Sequence, residues 1–184
     1  MARIPAVTRQ SVKEELRPVF DEVSAGPGGV GTGPMSVLKH SPEMSRRAIP
    51  LFGYVRNESS VPQKLRELAM LVTARCMDCP YIWKVHAPLG RDAGLSDALL
   101  EALRENQPMP SLPPDEAAVH DFGTQLLNTR RVSPDAFQKV HDLLGSQGLV
   151  ELTTLMGFYT MLAFNANAVE LDLPHDSDEP ALPV

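Results

Sequence analysis

Pro62-Gln63-Lys64-Leu65-Arg66-Glu67-Leu68-Ala69-Met70-Leu71-Val72-Thr73-Ala74-Arg75 runs directly into Cys76-Met77-Asp78-Cys79-Pro80-Tyr81-Ile82-Trp83-Lys84-Val85-His86, and the reading of this stretch decides the fold. Pro62 opens a helix. Beyond its first turn apolar residues cover most of the circumference, the pattern of a helix buried on all sides rather than on one face. Pro80 stands at the first position of a second helix, which runs to about Ala93 and stops at Gly94.

The same punctuation continues in both directions. Upstream, Ser41 and Pro42 start a helix that reaches about Arg56, and Asn57 to Ser60 form a polar turn. Downstream, Ser96 caps a short helix over 97–105, and Pro108, Pro110, Pro113 and Pro114 make a stiff linker. Three further helices are expected at about 115–129, 134–145 (capped by Ser133) and 148–168. Near the start, Val12, Leu16, Val19, Phe20 and Val23 give residues 8–24 a helical pattern, with Pro18 expected to kink it. No strand pattern appears, so the fold class is all-α. The expected organisation is an N-terminal helix and Gly-rich loop over 1–34, a helical domain over 35–170, and an acidic, Pro-rich, frayed tail over 171–184.

The loop itself, Gly26 to Pro34, lacks the Gly-Lys-Ser/Thr ending of a phosphate-binding loop. It reads either as a connector or as a mobile flap beside a pocket. Bulk properties exclude some classes. The 184 residues carry a net charge of −6 and no long Lys/Arg run, which argues against nucleic acid as a partner. No apolar run of membrane-spanning length and no signal-peptide pattern is seen, so a cytoplasmic location with reduced thiols is expected.

Chemistry concentrates between Glu67 and His86. Cys79 precedes Pro80 and is therefore the expected N-cap, where backbone N–H groups and the helix dipole favour a thiolate, while Asp78 opposes it. The alternative is an inert buried thiol. His86 lies seven residues beyond Cys79, about 10 Å along a helix, too far for direct contact. It reads as a proton carrier or as a core histidine. Glu67 shares a helical stripe with Met70, Leu71 and Ala74. It reads as a desolvated general base, or as a first-turn residue paired with Lys64. Cys76 and Cys79 form a Cys-x-x-Cys, with Cys76 a candidate redox partner. No second pair and no His-x3–5-His accompanies it, so no metal site is expected. His40, His120, His141 and His175 read as surface or packing residues. The pattern L-x-E-L-x-x-L occurs at 65–71 and again at 149–155, which suggests a degenerate internal duplication. The positions matching Cys79 and His86 in the second copy are Ala163 and Glu170, so any site belongs to the first.

Ser36-Val37-Leu38-Lys39-His40-Ser41-Pro42-Glu43, Pro62-x-x-Leu65-Arg66-Glu67-Leu68, Cys79-x-Tyr81-x-Trp83-x-x-His86 and Ala93-Gly94-Leu95-Ser96, taken in order, resemble the carboxymuconolactone decarboxylase-like and alkylhydroperoxidase D-like superfamily over about residues 35–170. The resemblance implies an all-α bundle that needs no cofactor, acts on a small-molecule substrate and assembles into homo-oligomers such as trimers or hexamers. It matches Glu67, Cys79 and His86 to the Glu, first Cys and His of the family's peroxidases. Their second, peroxide-attacking Cys falls on Ile82, so the Cys76–Cys79 pair is out of register by three residues.

Three readings follow. In the first, the protein is a thiol-dependent, peroxiredoxin-type peroxidase using Cys79 with Glu67 and His86, which the retained Cys79 favours. In the second, it decarboxylates or isomerises a lactone-type small acid with His86 or Glu67 moving the proton. In the third, it is a non-catalytic small-molecule-binding module. Tyr81, Ile82 and Trp83 are the expected pocket lining.

Overall fold

The computed structural model describes residues 2–26, 29–174 and 177–184, and among these it contains helices and no strand. The helices are α1 (Arg17–Ser24), α2 (Pro34–Leu38), α3 (Pro42–Gly53), α4 (Gln63–Cys76), α5 (Pro80–Asp92), α6 (Asp97–Arg104), α7 (Pro114–Thr129) and α8 (Pro134–Ala168). A single 3-10 turn, Glu14–Leu16, leads into α1, and a π-helical turn, Tyr54–Glu58, follows α3.

Helix α4 is the axis of the bundle. It packs against α5, α7 and α8. Every residue from Glu67 to Ala74 is buried, which is what an apolar circumference requires. Helix α8 supplies Leu152, Leu155, Met156, Tyr159, Leu162 and Ala163 to the same core. By length and composition α8 is apolar enough to cross a membrane, yet half of its most apolar window is buried within the protein. Gly145, with φ 67° and ψ −179°, interrupts it, so α8 is two helical pieces joined end to end, as the expected stretches at 134–145 and 148–168 require. The side chains of Ser96 and Ser133 cap α6 and α8 by accepting from the N–H groups of Leu99 and Ala136. Ser41 occupies the N-cap position of α3, but its side chain makes no capping bond.

Four expectations need correction. The first helix does not start at residue 8: Thr8 and Ser11 bond each other in a turn. Pro18 sits in the first turn of α1, where its missing N–H costs nothing, rather than kinking a longer helix. The Gly-rich segment gives way at Pro34, its expected end, to the short helix α2. Residues 27 and 28 of that segment lie outside the described residues, but its far end is tied down. The Lys39 ammonium, 7% exposed, donates to the carbonyls of Gly29 and Val30. Asn57 and Glu58 continue the helical backbone as a π turn instead of leaving it.

The fourth correction is the tail. Leu182 is buried in the main core, Pro183 accepts a hydrogen bond from Arg75, and Glu179 pairs with Arg91. The tail is docked because Leu171, Leu173 and Leu182 pack on the core and its backbone and carboxylate acceptors meet Arg75, Arg91 and Arg104 on α4, α5 and α6. His175 lies outside the described residues.

The two L-x-E-L-x-x-L motifs occupy matching settings, with Glu67 and Glu151 both buried near the start of a core helix. Glu151 accepts from the Ser60 N–H and hydroxyl, the Tyr54 hydroxyl and the Gln147 amide. Burial pushes its carboxyl up, but these bonds outweigh it and hold the group down at about 2. A carboxyl depressed from 4.5 stabilises the fold above that pH and loses its contribution as pH falls towards about 2. Glu151→Gln is therefore expected to flatten the acid-unfolding profile in that window, measured by circular dichroism as a function of pH.

Candidate active site

The site is built where α4, α5, α8 and the π turn meet. Glu67 enters from α4 and His86 from the second half of α5, both at least nine-tenths buried. His86 Nδ1 lies 2.7 Å from Glu67 Oε2. Its other ring nitrogen, Nε2, lies 3.2 Å from Arg56 Nη1, and the same Nη1 donates to the Tyr159 hydroxyl. The His86 and Tyr159 rings meet edge to face at 5.2 Å between centroids.

This arrangement fixes the tautomer. A guanidinium has only N–H donors, so Nε2 must be the acceptor. The single ring proton of neutral His86 then resides on Nδ1, donated to Glu67. Burial lowers the His86 pKa, the Glu67 carboxylate opposes this, and the Arg56 cation adds to the lowering, with a net shift downward. His86 is therefore neutral at pH 7, with its basic lone pair on Nε2. Burial also pushes the Tyr159 hydroxyl up, to about 12.

Glu67 and His86 thus come together as expected. Lys64 does not compete for Glu67, because it pairs with Asp115 and Glu116 on α7. Arg56 and Tyr159 were not anticipated. Arg56 lies where the sequence suggests a helix end, and Tyr159 lies 73 residues beyond His86 with no local signal.

Cys79 does not join them. It is the N-cap of α5, as Pro80 predicts, and the N–H groups of Tyr81 and Ile82 favour its thiolate. Burial outweighs both and pushes the thiol up. The sulfur has no hydrogen bond to Glu67 or His86 and sits in the apolar core, the setting of the buried-thiol alternative. Cys76 is likewise free, and burial pushes it up to about 11.

The three expected lining residues separate. Ile82 and Trp83 are core residues, and the Trp83 indole N–H has no partner. Tyr81 instead lines a cavity of about 650 Å³ together with Gly31, Thr32, Ser36, His40 and the segments at 2–7 and 169–174. Among the described residues no cluster of His, Cys, Asp and Glu could hold a metal ion.

Residues 42–120, which include Arg56, Glu67, Cys79 and His86, match the Carboxymuconolactone decarboxylase family. Over these residues the chain is similar to that family. Solved structures share its all-α fold. A peroxidase-related protein from Ralstonia eutropha, described as an alkylhydroperoxidase AhpD core, superimposes with a TM-score of 0.72 at 15% identity, covering 95% of this chain and 93% of its own. An Agrobacterium tumefaciens protein described as a putative antioxidant defence protein AhpD gives a TM-score of 0.64 at 17% identity over 76% of this chain and 96% of its own. The debrominase Bmp8, in complex with 2,3,4-tribromopyrrole, gives 0.66 at 12% identity over 92% and 90%. No curated protein matches the chain.

Proposed function

We propose that this protein is a cofactor-free acid–base enzyme that decarboxylates or isomerises a lactone-type small acid, with His86 as the proton carrier and Glu67 as its partner. The observation that carries this reading is the fixed Glu67–His86 pair, which leaves Nε2 of a neutral imidazole as the basic atom. When the substrate displaces the Arg56 N–H from Nε2 and that atom takes a proton, Glu67 balances the imidazolium through Nδ1–H. In isomerisation the proton returns from Nε2 to a different carbon of the same conjugated system; in decarboxylation Nε2 takes the proton of the substrate's carboxylic acid, carbon dioxide departs, and that proton passes to the carbanion left behind. The deciding measurement is carbon dioxide release, or isomer formation, from a panel of γ-lactone carboxylic acids. It should disappear in His86→Ala and persist in Cys79→Ser. Loss in Cys79→Ser with retention in His86→Ala would overturn the reading.

Since His86 is charged only below its ordinary range, activity should stay on its plateau as pH falls through 6.5 and decline further down. A decline centred above 6.5 would contradict the assignment of His86 as the base.

One feature supports the thiol-peroxidase reading. Cys79 holds the N-cap position of α5, where the Ile82 and Tyr81 N–H groups oppose the upward push of burial on its thiol, although its side chain makes no capping hydrogen bond. Its burial and the isoleucine at position 82 oppose it. Dimedone labelling after hydrogen peroxide treatment at pH 7.5 is expected to leave Cys79 of the native protein unmodified. Stoichiometric labelling there would restore the peroxidase reading.

A self-assembled state is part of the proposal. Val150, Gly157 and Phe164 recur every seven residues on an exposed face of α8, and Val150 and Phe164 are each 61% exposed. Light scattering should report an oligomer that Phe164→Glu weakens.

A further inference from the structure

We propose that Arg56 is a receptor for a carboxylate: the anion docks on the guanidinium edge formed by Nε and Nη2, beside the His86 base. Among the described residues only Nη1 of Arg56 has a protein acceptor, and it serves both His86 Nε2 and the Tyr159 hydroxyl. The remaining Nε–Nη2 edge is the fork that matches the two oxygens of a carboxylate. No ion pair among the described residues includes Arg56, although every neighbouring buried carboxylate has its own partners.

The guanidinium is also held in place without being used up. Its central carbon lies 5.8 Å from the Phe52 ring centroid, and Phe52 in turn packs against Tyr159 and Phe158. Arg56 is half-buried, whereas Glu67 and His86 behind it are buried. A cation that is oriented, only half-buried and without an ion pair among the described residues is placed to capture an anion arriving from outside. The aromatic wall beside it favours a flat, unsaturated or cyclic carbon skeleton over a polar one.

The inference deepens the acid–base reading by naming what the substrate must carry, but binding at Arg56 does not depend on catalysis. The experiment therefore uses sodium benzoate as the probe, on the full chain labelled with ¹⁵N-histidine. Benzoate should cause a saturable change in the His86 Nε2 resonance and a rise in melting temperature. Benzamide, equal in shape and uncharged, should cause neither, and sodium chloride at equal ionic strength should not reproduce the effect.

Arg56→Gln should weaken benzoate binding by about 30-fold or more. Arg56→Lys should restore only part of the loss, because an ammonium has no fork. His86→Ala should still bind benzoate, read by melting temperature. Equal affinity in wild type and Arg56→Gln overturns the proposal, as does saturable binding that leaves the His86 resonance unmoved. If benzoate binds as described while no lactone acid is turned over, the acid–base reading fails and the receptor stands. If lactone acids are turned over with a KM that does not depend on Arg56, the receptor fails and the acid–base reading stands.

Discussion

Glu67→Gln is expected to lower turnover by about 10²- to 10⁴-fold while leaving the folded structure in place. Glutamine has the same shape as glutamate, and its carbonyl oxygen can still accept from His86 Nδ1–H. Arg56 keeps a donor on Nε2, so the amide cannot flip the tautomer without setting two donors against each other. What the substitution removes is the negative charge that stabilises the imidazolium while the proton rests on Nε2. The loss should fall on kcat rather than KM, and the melting temperature should change by only a few degrees. Turnover within about twofold of wild type would show that Glu67 only positions the ring.

Trp83→Ala is expected to destabilise the protein by about 3–5 kcal/mol, a large share of the roughly 5–15 kcal/mol that holds a typical domain together. Trp83 is fully buried between the core helices. Removing it opens a cavity the size of an indole, which the close-packed surroundings on α4 and α8 cannot fill. Trp83→Phe should cost far less. The indole N–H has no hydrogen-bond partner, so phenylalanine gives up area but also removes an unsatisfied donor. Urea unfolding of the two variants checks the contrast. Equal losses would mean that the N–H is satisfied in solution.

The helices were legible because their ends are chemically marked. Pro42, Pro80, Ser96 and Ser133 each stand at a helix start, and the apolar circumference of Leu68 to Ala74 identifies the central helix before any contact is known. The exceptions have physical causes. Pro18 could start a helix as well as bend one, and sequence periodicity does not choose between them. The tail docks through Leu182, with Leu171 and Leu173 packed on the same core, apolar residues spread too thinly along an acidic, Pro-rich segment to give a periodic signal.

At the site, Glu67 and His86 were joined by the resemblance of the 62–86 stretch to a family motif, since each alone reads equally well as a structural residue. Arg56 and Tyr159 were not, since each is brought in by tertiary packing from a separate element. Cys79 shows the limit most clearly. Its N-cap position could be read from Pro80, but whether the cap or the burial controls the sulfur depends on what packs over it.

The π turn at Tyr54–Glu58 makes the position of Arg56 a matter of counting. The Ser59 N–H bonds back five residues to the Tyr54 carbonyl, so this turn holds one residue more than an α turn would. Deleting a residue from it would restore ordinary winding and rotate everything on one side by about 100° relative to the other. The arginine would leave the imidazole even though no residue of the site had been changed. The reach of Arg56 thus depends on an extra unit of backbone length, and a shortened relative could keep every side chain of this site and still lack its cationic mouth.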